Sequence, residues 1–143
     1  MRDLISNIGV KIAIPSASYD ADNVPAAVDL RGFDGAGFLI AVGVGGITFT
    51  GTHKVEFKLT HGDTADGEFT AVTADDVQGV AVEAGGIVLA LKTAHAAPTV
   101  TKVGYVGGKP FAKLLADFSG THGTATPIGA TVILGHPRTA PVA

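Results

Sequence analysis

The chain has 143 residues, 46% of them hydrophobic and only 16% charged, with five histidines, no cysteine, no tryptophan and a formal net charge of −3. That length suits one domain, spanning 1–143, able to bury about two-thirds of its unfolded surface. Without cysteine there is no disulfide or thiolate chemistry, and without a basic block nucleic acid is excluded as the principal partner, because phosphate binding needs grouped Lys and Arg.

The first eight residues place Leu4, Ile5 and Ile8 at helical spacing, and either a single helical turn or an extended arm over 1–8 fits them. A segment so short is not stable alone and must dock, on its own domain or on a neighbouring subunit. Gly9 to Ile14 alternates Val10, Ile12 and Ile14 against Lys11 and Ala13, which predicts a half-buried strand ended by Pro15. After a polar loop from Ser16 to Pro25, a short strand is expected at Ala26 to Leu30 and a turn at Arg31 to Gly35. Phe38 to Val42 is an uninterrupted apolar run, the pattern of a central strand with both faces covered.

Gly43-Val44-Gly45-Gly46 is not a nucleotide loop, since Thr48 stands where the third glycine of GxGxxG belongs and the following ITFT favours strand over helix. Lys54 to Thr60 predicts a strand with Val55, Phe57 and Leu59 inward and Lys54, Glu56 and Lys58 toward water. His61 to Glu68 reads as a solvated turn, its carboxylates missing the spacing of a calcium loop. A short strand follows at Phe69 to Val72, then one helical turn near Ala74 to Gln78. Strands at Val80 to Glu83 and Ile87 to Lys92 are joined as a hairpin by Ala84-Gly85-Gly86. Thr99 to Phe118 predicts another hairpin, turning at Gly107-Gly108, with Val103 and Tyr105 on one face and Lys102 and Gly104 on the other. Pro110 places the start of its second strand at an edge. A last strand is expected over Ile128 to Leu134, with an extended tail over 136–143 set by Pro137 and Pro141.

Eight to ten short strands with at most one or two helical turns define an all-β fold: a single antiparallel β-sandwich or a jelly-roll-like barrel. The low charge content, against about 25% in ordinary soluble domains, leaves few charges to coat a free surface and predicts that other subunits cover part of it. No apolar run approaches the ~18 residues of a membrane span, and no apolar leader segment follows Arg2 and Asp3, so neither a membrane nor a secretory route is expected.

Catalytic signatures are weak. His53, His61, His95, His122 and His136 include no i, i+4 pair, and only folding could gather His95, His122 and His136 around an ion. No G-x-S-x-G elbow is present. Gly107-Gly108-Lys109 lacks the upstream glycine and the Ser or Thr of a phosphate loop. The chain therefore reads as neither an enzyme nor a cofactor or metal protein.

The segments KVGYVGGKPF (102–111) and ILGHPRTAP (133–141), with MRDLISNI (1–8) and VDLRGFD (28–34), carry a resemblance. Together they resemble a family of small structural proteins of tailed bacteriophages and gene transfer agents. Members sit on the capsid exterior as cement or decoration proteins, or as bases for head spikes. The resemblance implies a virion protein made in the host cytoplasm, whose partner is the major capsid protein. It also implies a homo-oligomer, with a trimer at three-fold sites favoured and a pentamer at vertices as the alternative. Candidate interface residues are Arg2, Leu4, Ile5 and Ile8 in the arm and His136, Pro137 and Arg138 in the tail. Arg138 is suited to fork onto a carboxylate of the capsid or of a sister subunit. A lectin-like carbohydrate-binding module is the rival class.

Overall fold

The structure, a computed structural model, describes residues 2–142. Its strands are β1 (Gly9–Tyr19), β2 (Val28–Asp29), β3 (Phe33–Val42), β4 (Lys54–Gly62), β5 (Thr70–Ala71), β6 (Val77–Gln78), β7 (Ile87–Leu91), β8 (Thr99–Tyr105), β9 (Phe111–Ser119) and β10 (Thr126–Pro137). Two single 3-10 turns, Ile5–Asn7 and Ala74–Asp76, are the helical content of the described residues. The strands form two antiparallel five-stranded sheets stacked as a sandwich. One runs β1-β10-β3-β8-β6; the other runs β2-β9-β4, with β5 and β7 lying end to end along the far side of β4. Neither sheet closes on itself, so the barrel alternative is not formed.

The core lies between the sheets, where period-two alternation delivers its side chains. Phe38, Ile40 and Val42 of β3, Val103 of β8 and Val132 and Leu134 of β10 meet Val55, Phe57 and Leu59 of β4 and Ala112, Leu114 and Ala116 of β9. Val103 and Tyr105 are buried as expected, while Lys102 on the opposite face is exposed.

Five expectations are corrected. The strands on either side of Gly107-Gly108 exist, but they do not pair. β8 bonds to β3 and β6 in one sheet, and β9 bonds to β4 and β2 in the other, so this connection crosses between the layers. Tyr105 explains why: its hydroxyl accepts from the Lys109 amide at 3.0 Å, and the Val106 amide donates to the Asp76 carbonyl at 2.8 Å, which turns the chain away from its own strand. The hairpin at Ala84 to Gly86 is reduced to a single bridge between Glu83 and Ile87. β1 does not stop at Pro15, because a proline is tolerated on an edge strand where the register shifts.

The fourth correction matters most. The register breaks between Ile12 and Ile14, so Ala13 and Ile14 both face inward and the alternation changes phase. Val10 and Ile12, expected inside with Ile14, point outward and are 61% and 67% exposed. β4 departs in the opposite sense. Glu56, expected in water, is buried and paired with Lys54 at 3.1 Å, while Lys58 pairs with Asp117 of β9.

β2 covers only Phe111 and Ala112 of β9, which leaves the rest of that strand as an open edge. Two side chains close it. The buried Asn23 accepts from the Ala116 amide at 2.7 Å and donates to the Leu114 carbonyl at 3.3 Å, and Asp22 accepts from the Phe118 amide at 2.7 Å. The loop thus imitates a neighbouring strand, satisfying groups that would otherwise template association. Lys11 ties the other layer to the same region, donating to the Asp29 carbonyl at 2.7 Å.

Candidate functional site

The candidate residues fall at two places near the chain ends. Arg2, Leu4 and Ile5 are exposed and Ile8 is half-buried. The segment is a 3-10 turn rather than an extended arm, and a side chain builds it. Asp3 accepts from the Ser6 amide at 3.0 Å, and Asn7 donates through its side chain to the Asp3 carbonyl at 2.8 Å. Hydrogen bonding from Ser6 to its charged form holds the Asp3 carboxyl below its ordinary range. The turn is pinned from the other end of the chain, where the Val142 amide donates to the Ser6 carbonyl at 2.9 Å. Leu4 and Ile5 are left projecting, 60% and 76% exposed.

His136 and Pro137 belong to the last residues of β10 rather than to a free tail, and Pro137 stands opposite Phe33. His136 is exposed with φ at +50°, a strained value for a residue with a side chain. The fork expected of Arg138 is engaged within the chain: its Nε and Nη2 both lie 3.0 Å from Asp34, and its amide donates to the Gly32 carbonyl.

Arg138 also borders an open cleft of about 410 Å³ at one end of the sandwich, together with Arg31, Phe33, Tyr105 and Lys109. Three cations around a cleft suggest an anion site, but each has a carboxylate of its own. Arg31 makes a two-pronged pair with Asp29 at 2.9 and 2.8 Å, and Lys109 reaches Asp63 at 3.0 Å. The Arg31 hydrogen bonds pull the Asp29 carboxyl from 3.8 down to about 2. With its charge balanced in this way, the cleft exerts little pull on an anion.

The histidines do not assemble as a metal site. His95 and His122 both pack on Phe49, with ring centroids 5.4 and 6.3 Å away, and donate through Nε2 to the Gly43 and Ser119 carbonyls. His136 lies apart, beside Gly35. His61, read as a loop residue, sits instead on β4, buried, with Nδ1 2.8 Å from the Tyr105 hydroxyl. Burial raises the Tyr105 hydroxyl above its ordinary range. Among the described residues no three His, Cys, Asp or Glu side chains are placed to hold a metal ion.

Sequence reasoning missed a second surface altogether. With Val10 and Ile12 turned outward, the exposed face of the β1-β10-β3-β8 sheet carries Val10, Ile12, Ile133, Leu39, Ala41 and Val100, with Lys102 its charged side chain on these strands. The signal was present in Phe38 to Val42, which reads as covered on both faces, whereas Ala41 is exposed and Leu39 only half-buried. The class defined by the fold is therefore an all-β sandwich of two antiparallel sheets, with apolar side chains exposed on its N-terminal turn and on one sheet face. The chain matches no family model, no curated protein and no solved structure.

Proposed function

We propose that this chain is a virion structural protein of a tailed phage or gene transfer agent, a cement protein that binds outside the capsid across capsomer junctions. It works through contact area, without catalysis, cofactor or metal. The observation that carries the reading is the prebuilt N-terminal turn, which Asp3 and Val142 hold in shape while Leu4 and Ile5 project largely into solvent. Exposed apolar side chains on an ordered support suit docking, because little conformational entropy remains to be lost.

Strand order supports the same reading. With the flanking strands β5 and β6 set aside, the layers are β1-β10-β3-β8 and β2-β9-β4-β7, the arrangement of two Greek keys wrapped as a jelly roll. Viral capsid domains and lectins both use that architecture, so the support is one of fold analogy. In this reading the chain is made in the host cytoplasm and ends on the particle exterior with the major capsid protein as its partner, favouring a trimer at three-fold sites; a pentameric head-spike base at vertices is the alternative. Many copies of a modest contact give avidity against the pressure of packed DNA.

Co-sedimentation with intact capsids tests this. The wild-type chain is expected to pellet with particles, and a Leu4→Asp/Ile5→Asp variant to stay in the supernatant with its melting temperature unchanged. Wild-type chain that ignores capsids but scores on a glycan array would transfer the reading to the lectin class.

A further inference from the structure

We propose that the outer face of the β1-β10-β3-β8 sheet pairs two copies of the free chain, face to face about a two-fold axis, a contact separate from those of the trimer proposed on the capsid. The argument starts from one row of residues across the sheet. Val10 stands opposite Ile133, Ile133 opposite Gly37, and Gly37 opposite Gly104, all on the outer face. Half the row is a ridge of branched side chains and the other half is a trough. The trough continues into Gly35 and Gly135 and forms a shallow groove of about 340 Å³ floored by these glycines and bounded by Leu39 and Ile133.

Gly37 has no reason inside its own chain to be glycine. Its φ is not positive, and a Cβ built on it meets nothing within 4 Å; the same holds for Gly135. A glycine in mid-strand forgoes packing and costs about 0.5–1 kcal/mol of chain entropy relative to alanine. Where the fold does not require it, close approach by another surface does.

The row is self-complementary. A two-fold axis lying along the strands, between β10 and β3, exchanges the positions of those two strands and likewise of β1 and β8. Ile133 of one copy then falls over Gly37 of the other, and Val10 over Gly104. In the next row Thr131 meets Leu39, and Ile12 meets the methylene stem of Lys102, whose ammonium group can reach the rim. One row further on, Gly129 meets Ala41. Ridges enter troughs in the first row, in both directions as an isologous interface demands, while in the next row the side chains abut.

The area is sufficient for a specific but modest pairing. Four strands about 4.8 Å apart and eight residues of about 3.4 Å each give a footprint near 500 Å² per copy, or about 1,000 Å² in all. The apolar run at Phe38 to Val42 would then be covered on both faces, as its composition calls for.

Sedimentation equilibrium of the full chain into the high-micromolar range is the test. A reversible dimer is expected, weakened roughly tenfold or more by Gly37→Val, which fills the trough while leaving the melting temperature equal or higher. Because the chain has no cysteine, a Val10→Cys/Gly104→Cys variant adds geometry. Facing sheets lie about 10 Å apart, too far for a disulfide but within reach of a short bis-maleimide, whereas the same two strands lie about 14 Å apart within one chain, so the short reagent should give a covalent dimer only across the interface. A wild-type monomer throughout the range would overturn the proposal. So would a Gly37→Val variant that associates as tightly, or a trimer or pentamer without the 10–104 cross-link. None of these readouts depends on capsid binding, which the Leu4 and Ile5 variants report separately.

Discussion

Replacing Asn23 by alanine tests whether one side chain substitutes for a missing strand. Asn23 is buried, and its amide makes two bonds to β9: acceptance from the Ala116 amide at 2.7 Å and donation to the Leu114 carbonyl at 3.3 Å. The substitution leaves a buried N–H without a partner, which costs about 1–3 kcal/mol, while the longer bond to Leu114 adds about 0.5–1 kcal/mol. A loss of about 1.5–4 kcal/mol follows, equivalent to roughly 5–12 °C in melting temperature for a chain of this size. Calorimetry or urea denaturation followed by circular dichroism measures it. Asp22→Ala is the control: it removes one bond from an exposed position and should cost about 0.5–1 kcal/mol. Asn23→Asp separates the two halves of the contact, since it keeps the acceptor and removes the donor. An Asn23→Ala variant within about 0.5 kcal/mol of wild type would mean that water, rather than this side chain, closes the edge.

Further expectations concern the core, one turn and one ion pair. Phe57→Ala, at a fully buried position of β4, should cost about 3–5 kcal/mol in denaturant melts. Gly86→Ala should destabilise measurably despite the gain in chain stiffness, because φ is +79° and the new Cβ would stand 2.5 Å from the Leu59 carbonyl oxygen. Asp29 titrates lower in the folded chain, at about 2 against 3.8. Its pairing with Arg31 therefore stabilises fully above the ordinary value and is lost as pH falls through the lowered one. Asp29→Asn should shallow the loss of melting temperature over that acid window; exposure keeps the effect below about 1 kcal/mol. An unchanged acid limb in that variant would remove the pair from the account.

Strand positions were largely legible because burial on one face writes a period of two into the residues. Val55, Phe57 and Leu59 show it, as do Ala112, Leu114 and Ala116, and both sets lie in the core. What alternation does not encode is which sheet a strand joins. Gly107-Gly108 reads as a tight hairpin, and only long-range bonds reveal the crossing, through Tyr105 to Lys109 and Val106 to Asp76. Phase is equally hidden where a bulge intervenes: Val10, Ile12 and Ile14 look equivalent in sequence, yet one extra inward residue at Ala13 sends two of them to the surface. The N-terminal turn was legible as a possibility through Leu4, Ile5 and Ile8. Its support was not, since the bond from Val142 spans nearly the whole chain.

The place of β10 sets the order in which this molecule can be completed. It is the last strand to be made, yet it lies inside its sheet, between β1 and β3. Until it arrives, the first strand has no neighbour to bond, and β3 is left with an open flank. Contacts this distant in sequence are slow to close, because the chain must lose loop entropy before they reward it. A nascent chain halted before Thr126 would thus hold an unfinished sheet, exposed to any passing strand, which makes the twelve residues of β10 a lock as much as a layer.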